Sequence, residues 1–122
     1  MKKDLLNKLE RQRNNLVKLR YRFAMQKVGS GVVAVAIEED ALKYNEILRM
    51  NSTGAFILEQ LQNGISYIEL EKGMLQKYDT NIKTVKKILV DFLGVLSEKE
   101  ILLDDKGRLI SVNSIRENAS LY

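Results

Sequence analysis

The chain has 122 residues, of which 45% are hydrophobic and 30% charged, values typical of one soluble globular domain with a modest core. It contains no cysteine and no histidine, which excludes disulfides, thiolate metal sites and the Ser-His-Asp and Cys-His catalytic systems. We therefore expect a protein that is not an enzyme and uses no metal or cofactor.

The location of the protein is predicted from what its N-terminal stretch lacks. No apolar run reaches the roughly 20 residues that span a bilayer. Charged residues also interrupt "MKKDLLNKLERQRNN", where a signal peptide needs an apolar segment. We expect a cytoplasmic protein with no membrane association.

The net charge of +4 is unevenly distributed along the chain. Residues 1–22 carry +6, whereas residues 23–122 carry −2. The N-terminal arm, residues 1–22, is therefore basic, and the remainder of the protein is slightly acidic.

The N-terminal arm is predicted to be helical. Residues 4–22 contain no glycine or proline, and their apolar positions follow a spacing of three and four if Gln12 is counted as one polar interruption. These positions are Leu5, Leu9, Leu16, Leu19 and Phe23. Such a seam predicts docking on the body of the chain or a homodimer through residues 5–19, with a solvated tail as a third alternative.

The next segment predicts a three-stranded antiparallel meander. Gly29-Ser30-Gly31 is a turn signal between residues 23–28 and an uninterrupted apolar run at 32–37. Residues 38–43 form a longer predicted turn, and residues 44–50 alternate between two faces. We expect 32–37 to be the middle strand and 44–50 an edge strand.

Three helices and a hairpin are predicted to follow. Asn51, Ser52 and Thr53 are candidate N-caps of the first helix, and Gly64 ends it. Ser66 and Glu69 form a capping box at the start of the second helix. Thr80 or Asn81 caps a third helix that runs to about residue 99, and residues 101–112 read as a hairpin that turns at 104–107.

The predicted fold class is α+β. It consists of a three-stranded antiparallel sheet followed by a three-helix winged-helix-like bundle, with an N-terminal helical arm and a C-terminal hairpin. The predicted divisions are residues 1–22, 23–103 and 104–122. The acidic clusters at 38–40 and 104–105 lie in predicted turns without the spacing of a calcium loop, so no metal site is predicted.

A winged helix raises DNA binding as one functional hypothesis. Recognition helices read bases mainly with Arg, Lys, Asn or Gln near their start. The third helix offers Lys83, Lys86 and Lys87, but no arginine occurs between Arg49 and Arg108. DNA binding is therefore kept as the alternative function.

Peptide binding is the other hypothesis, because an edge strand displays backbone groups without partners. Glu46 and Arg49 are the only charges in residues 44–50, and the strand contains no proline. The strand could accept a peptide as an added strand. Alternatively, the N-terminal arm or the C-terminal hairpin covers it.

Three stretches, in this order and spacing, resemble the PqqD family of peptide chaperones, named for pyrroloquinoline quinone biosynthesis. They are "EILRMNSTGAFILEQLQNG" (46–64), "SYIELEKGMLQKYD" (66–79) and "VKKILVDFLGVLSEKEIL" (85–102). The resemblance covers about residues 20–103. It implies a precursor-recognition domain for ribosomally made peptides, a sheet on three helices that binds a leader peptide and presents it to a radical S-adenosylmethionine enzyme.

The resemblance also implies where the leader peptide binds. The leader would lie as an extra strand along residues 44–50, in a groove shared with the third helix. The predicted groove residues are Tyr44, Ile47, Leu48, Arg49 and Met50 on the strand, with Thr84, Val85, Ile88 and Val95 on the helix.

Overall fold

The computed structural model of the protein describes residues 2–110, and this part of the chain is α+β, with four helices and two three-stranded antiparallel sheets. The helices are α1 (Lys2–Arg11), α2 (Ser52–Leu61), α3 (Tyr67–Lys77) and α4 (Ile82–Glu98). The strands are β1 (Leu16–Leu19), β2 (Phe23–Val28), β3 (Gly31–Ala36), β4 (Leu48–Met50), β5 (Ile65–Ser66) and β6 (Leu102–Leu103). The predicted α+β class is confirmed.

The predicted meander forms the sheet β2-β3-β4, with β3 in the middle. Val28 pairs with Gly31 across a two-residue turn, in which Gly29 has a φ of 60°. That left-handed conformation suits glycine and the tight hairpin turns that match strand twist. Strand β4 lies at one edge of this sheet.

The edge strand is shorter than predicted, because residues 44–47 are not part of it. A short 3-10 helix, Glu38–Leu42, precedes them. The amide N–H groups of Lys43 and Tyr44 both donate to the Asp40 carbonyl, each at 3.0 Å. These bonds hold Tyr44 in the turn rather than in a strand ladder.

The predicted helix over 4–22 is wrong in its second half. Helix α1 ends at Arg11, and β1 forms the centre of a second sheet with the order β5-β1-β6. In β1, Val17 and Leu19 are buried whereas Leu16 and Lys18 are exposed, which is the two-residue period of a strand. The spacing of the leucines also fitted a helix, and pairing with β5 and β6 decides between the two.

Docking of α1 on the body of the chain is confirmed. Leu5 and Leu9 are only 2% and 3% exposed, and a Leu5 methyl group lies 3.7 Å from the position that a Cβ on Gly94 of α4 would occupy. These two leucines are part of the protein's own core and are not exposed to a second copy. A homodimer through residues 5–19 stays a prediction. Pairing of β1 with β6 crosses the predicted division at residue 22, and the bridge between Leu103 and Leu109 crosses the one at residue 103. The division into three parts stays a prediction.

The helix boundaries follow the predicted caps. Among the three candidates before α2, the Asn51 side chain accepts from the Gly54 amide at 2.9 Å. The Ser66 hydroxyl accepts from the Glu69 amide at the start of α3, and Asn81 caps α4. Each cap satisfies one amide that the helix itself leaves without a partner.

The predicted C-terminal hairpin is confirmed as far as Leu109. The Asp104 amide donates to the Arg108 carbonyl at 2.8 Å, Gly107 has a φ of 78°, and Leu103 bridges to Leu109. The last two residues of the predicted hairpin, 111 and 112, lie outside the described residues.

Four charged side chains join α1, α3 and α4, and we call them the junction cluster: Glu10, Arg13, Glu71 and Lys86. The Glu71 carboxylate, whose side chain is only 4% exposed, accepts from Arg13 and from Lys86, each at 2.7 Å. Lys86 also donates to Glu10 at 2.5 Å, and Arg13 donates to Glu10. The two acids and two bases neutralise one another.

The junction cluster raises the pKa of one member, Lys86, and of the neighbouring Tyr67. Burial alone would lower the pKa of Lys86, but its hydrogen bonds to Glu10 and Glu71 prevail and raise that pKa. Burial, together with the Glu71 and Glu10 carboxylates, raises the pKa of the adjacent Tyr67 phenol. Lys86 thus stays charged and is held by both carboxylates, although its side chain is 29% exposed.

Candidate functional site

The outer edge of β4 is open in the described part of the chain. Strand β3 pairs with one side of β4, and within residues 2–110 no strand pairs with the other side. The sequence left open whether the N-terminal arm or the C-terminal hairpin covers this edge. Within residues 2–110 neither does, because β1 of the arm and β6 of the hairpin belong to the other sheet.

The direction of the backbone groups in this sheet follows from one hydrogen bond. Ile37 N–H donates to the Arg22 carbonyl. The amide and carbonyl groups of odd-numbered residues in β3 therefore point towards β2, and those of even-numbered residues point towards β4. Val32 and Ala34 therefore exchange hydrogen bonds with Met50 and Leu48, their partners in the register. The amide and carbonyl of Arg49 point outward, away from β3.

Two adjoining cavities lie between this edge and α4, with volumes of about 360 and 220 Å³. They share Phe92 and Val95 of α4, and together we call them the β4–α4 groove. The larger cavity is lined by Asn51, Thr53, Gly54, Ile57, Ile88, Asp91, Phe92 and Val95. The smaller is lined by Ile47, Leu48, Arg49, Met50, Phe92, Val95, Leu96 and Lys99.

A glycine sets the position of the wall between the two cavities. A Cβ built on Gly54, in the first turn of α2, would lie 2.8 Å from the Phe92 ring and 3.1 Å from the Met50 Cβ. The first contact is closer than real Cβ atoms show, and the second is tight enough that the neighbour would have to shift by a few tenths of an ångström. Gly54 therefore allows Phe92 and Met50 to approach the start of α2, and the Phe92 ring becomes a shared wall.

The groove is apolar inside and charged at its rim. Ile47 and Val95 are 52% and 49% exposed and lie on opposite sides of the smaller cavity. At the rim, Lys99 donates to the Glu46 carboxylate at 3.1 Å, and the Arg49 side chain is exposed. Apolar surface between an open backbone edge and charged rim residues suits a peptide better than a small polar substrate.

Six of the nine predicted groove residues line this groove: Ile47, Leu48, Arg49, Met50, Ile88 and Val95. Whether they bind a ligand stays a prediction. Leu48 and Met50 share one face of β4, and Leu48 is buried against the core.

Three predicted residues line neither cavity. Val85 is completely buried, because it belongs to the core face of α4. Thr84 is exposed in the first turn of α4, where its amide donates to Asn81. Tyr44 lies in the turn before β4 and stacks on Tyr21 at a centroid distance of 5.2 Å. The prediction of these three as groove residues is therefore corrected.

Tyr44 belongs to an aromatic cluster outside the groove. Besides Tyr21, it contacts Phe23 edge to face at 5.8 Å. Burial, with smaller contributions from Glu46 and Tyr21, raises the pKa of its phenol. The cluster fixes the segment that leads into β4.

The sequence reasoning missed the central role of Phe92 and Gly54. Phe92 belongs to the apolar arc of α4, and that arc is wider than one packing contact needs. That excess width was the available signal. Gly54 carried no comparable signal, since its role depends on the approach of α4.

Residues 2–110 show neither a metal-binding cluster nor a helix that could span a membrane. No group of three or more His, Cys, Asp or Glu side chains there is placed to hold a metal ion. Over the same residues, no helix combines the length and the apolar character that crossing a membrane requires.

Comparison with solved structures finds a similar fold in TbiB1, solved in complex with the TbiA(beta) leader peptide. The TM-score is 0.55 at 24% sequence identity, and the similarity covers 70% of this chain and 93% of that chain. Protein-family models give no match to this chain, and neither do curated proteins. At this identity the likeness shows the fold alone.

Proposed function

We propose that this protein is a non-enzymatic adaptor that binds the leader segment of a precursor peptide in the β4–α4 groove. The observation that carries the proposal is the open edge of β4 beside two apolar cavities that share Phe92 and Val95. Binding by strand addition uses backbone hydrogen bonds for affinity and side-chain cavities for specificity. The groove offers both.

The leader would pair first with Arg49, whose amide and carbonyl face outward. Because side chains of a strand alternate between its faces, every second leader residue would point towards α4. An apolar leader side chain would fill the larger cavity between Ile88 and Phe92. Covering the exposed Ile47 and Val95 would add hydrophobic stabilisation.

The fold similarity to TbiB1 supports this proposal, since a leader peptide is bound in that complex. The resemblance of residues 20–103 to the PqqD family adds the partner. We include in the proposal that the bound leader is presented to a radical S-adenosylmethionine enzyme, which modifies the remainder of the precursor. Membership of the PqqD family stays a prediction.

The junction cluster weakens the alternative of DNA binding. Of the three lysines considered for phosphate contacts on α4, Lys86 is engaged by Glu10 and Glu71. Lys83 and Lys87 are exposed, but two lysines provide little of the phosphate neutralisation on which DNA affinity depends. DNA is therefore kept as one arm of the test.

The test is calorimetric titration of the protein with the leader peptide of a precursor encoded beside its gene. Arg49→Pro removes the outward amide donor, and the loss of one hydrogen bond, about 0.5–1.5 kcal/mol, corresponds to roughly a 2- to 13-fold weaker affinity. Arg49→Ala is the matched control, because it keeps the amide. We expect the proline variant to bind more weakly than the alanine variant.

A second pair of variants tests the side-chain cavity. Ile88→Asp places a charge in the larger cavity and should weaken binding by more than the proline does. Ile82→Asp is its control, because Ile82 is an exposed apolar residue of the same helix that lines neither cavity. Thermal unfolding must first show that all four variants are folded.

Two results would contradict the proposal. One is equal leader affinity in the parent, Arg49→Pro and Ile88→Asp. The other is sequence-specific binding of DNA at physiological salt by a parent protein that does not bind the leader.

A further inference from the structure

The outer edge of β2 is a second open edge, on the side of the sheet opposite the β4–α4 groove. Within residues 2–110 no strand pairs with it. It has six residues, Phe23–Val28, against three in β4, and it contains no proline. A long edge without proline or bulge pairs readily with another strand.

The hydrogen-bonding groups on this edge can be assigned. The Arg22 carbonyl points towards β3. The backbone amides and carbonyls of even-numbered residues in β2 therefore also point towards β3, and those of odd-numbered residues point outward. The outward carbonyl of Phe23 already accepts from the Gln62 side chain at 2.8 Å. Met25 and Lys27 therefore present the outward backbone groups of β2 for which the described part of the chain shows no strand partner.

From this arrangement we infer that the β2 edge is a homodimer interface, in which β2 pairs antiparallel with β2 of a second copy about a two-fold axis at Gln26. In that register Met25 exchanges hydrogen bonds with Lys27 of the partner subunit, and Lys27 with Met25 of the partner subunit. All the outward groups of Met25 and Lys27 are then satisfied, while the Gln62 bond to Phe23 remains. An axis at Met25 would instead pair Phe23 with Lys27 of the partner subunit and displace Gln62.

The side chains of β2 are self-complementary in this register. Lys27, the only charged residue of the strand, lies opposite Met25 of the partner subunit and not opposite a second lysine. Val28, which is 55% exposed, lies opposite Ala24 of the partner subunit on the same face as the exposed Val35. The two Gln26 side chains meet at the axis, where their amides can bond to each other.

The dimer would have one six-stranded sheet with a β4 edge at each end. Both β4–α4 grooves would stay open, so two leader peptides could bind to one dimer. An isologous interface of this kind is the commonest in soluble oligomers. The inference does not depend on what the groove binds.

Sedimentation equilibrium of the full chain over a range of concentrations tests the inference. The parent should show reversible dimerisation. Gln26→Glu should raise the dimer dissociation constant by about tenfold or more, because two carboxylates meet at the axis. Gln26→Lys should do the same, since it opposes two ammonium groups.

A mixture of the Gln26→Glu and Gln26→Lys variants tests the position of the two-fold axis directly. A two-fold axis at Gln26 places the glutamate of one copy opposite the lysine of the other, so the mixture should dimerise at least as well as the parent. Gln76→Glu is the matched control, because Gln76 is an exposed residue of α3 far along the chain from β2. It should dimerise like the parent, and all variants should keep the parent's melting temperature when measured as monomers.

Three results would overturn the inference. They are a parent that is monomeric at every concentration, single variants that dimerise as the parent does, and a mixture that fails to recover dimerisation.

Discussion

The junction cluster and the β4–α4 groove lie on the same helix, α4, but distribute polarity in opposite ways. In the junction cluster, the Glu71 carboxylate is buried and accepts from two cations, Arg13 and Lys86. In the groove, the apolar side chains of Ile47 and Val95 are about half exposed. A buried charge is unusual, and exposed apolar side chains are informative when they line one cavity together, as Ile47 and Val95 do.

The junction cluster serves the fold. A buried carboxylate is tolerated only when its partners replace the water that it loses. Arg13 and Lys86 do so from two different parts of the chain, so the cluster fixes α1 against α3 and α4. It is also electrically complete and has no charge left for a ligand.

The groove, in contrast, contributes surface that the fold does not use. Exposed apolar side chains beside an open strand edge are a hazard for aggregation unless a partner covers them. We therefore expect the α1 side of α4 to contribute stability, and the proposed function expects its β4 side to contribute binding.

The largest expected difference concerns two apolar residues, one in each region. Leu9→Ala should lower the free energy of unfolding by about 3 kcal/mol, because it leaves a cavity at a residue that is 3% exposed. Val95→Ala should lower it by less than about 0.5 kcal/mol, since Val95 is half exposed, but should weaken leader binding. Urea denaturation and calorimetric titration measure the two effects. Equal losses of stability would show that the groove side also holds the fold together.

A smaller effect is expected from the junction cluster itself. Glu71→Gln keeps the size of the side chain but removes the charge that pairs with Arg13 and Lys86, and it should cost about 2 kcal/mol. Glu69→Gln on the same helix is the control, because the Glu69 carboxylate is exposed and forms only a 3.7 Å pair with Lys72. That change should cost less than about 1 kcal/mol. Indistinguishable denaturation midpoints for the two variants would mean that the buried cluster contributes nothing special.

The sequence predicted the features that depend on contacts between residues close together in the chain. The caps at Asn51, Ser66 and Asn81 and the hairpin turn at Gly29 were found, because each uses contacts within three or four residues. Six of the nine predicted groove residues line the β4–α4 groove, and their role in binding stays a prediction.

The failures involve contacts between distant residues. The leucines of β1 fitted a helical spacing, and only pairing with β5 and β6 makes that segment a strand. Glu10, Arg13, Glu71 and Lys86 are spread over the first three-quarters of the chain, so no local pattern brings them together. Gly54 likewise acquires its role only from Phe92.

The smallest expected difference in stability is between alanine substitutions at two helical glycines, Gly73 and Gly54. Gly73→Ala in α3 should raise the free energy of unfolding by up to about 1 kcal/mol, since alanine favours helix and the nearest atom, on Phe56, lies 3.8 Å from the new Cβ. Gly54→Ala should lose that gain or reverse it, because its Cβ would lie 2.8 Å from the Phe92 ring. To relieve the contact the ring must move, and the wall shared by the two cavities moves with it.

We therefore expect Gly54→Ala, but not Gly73→Ala, to weaken leader binding in calorimetric titration. If Gly54→Ala stabilises the protein as much as Gly73→Ala does and binds the leader as the parent does, then Phe92 does not set the shape of the groove.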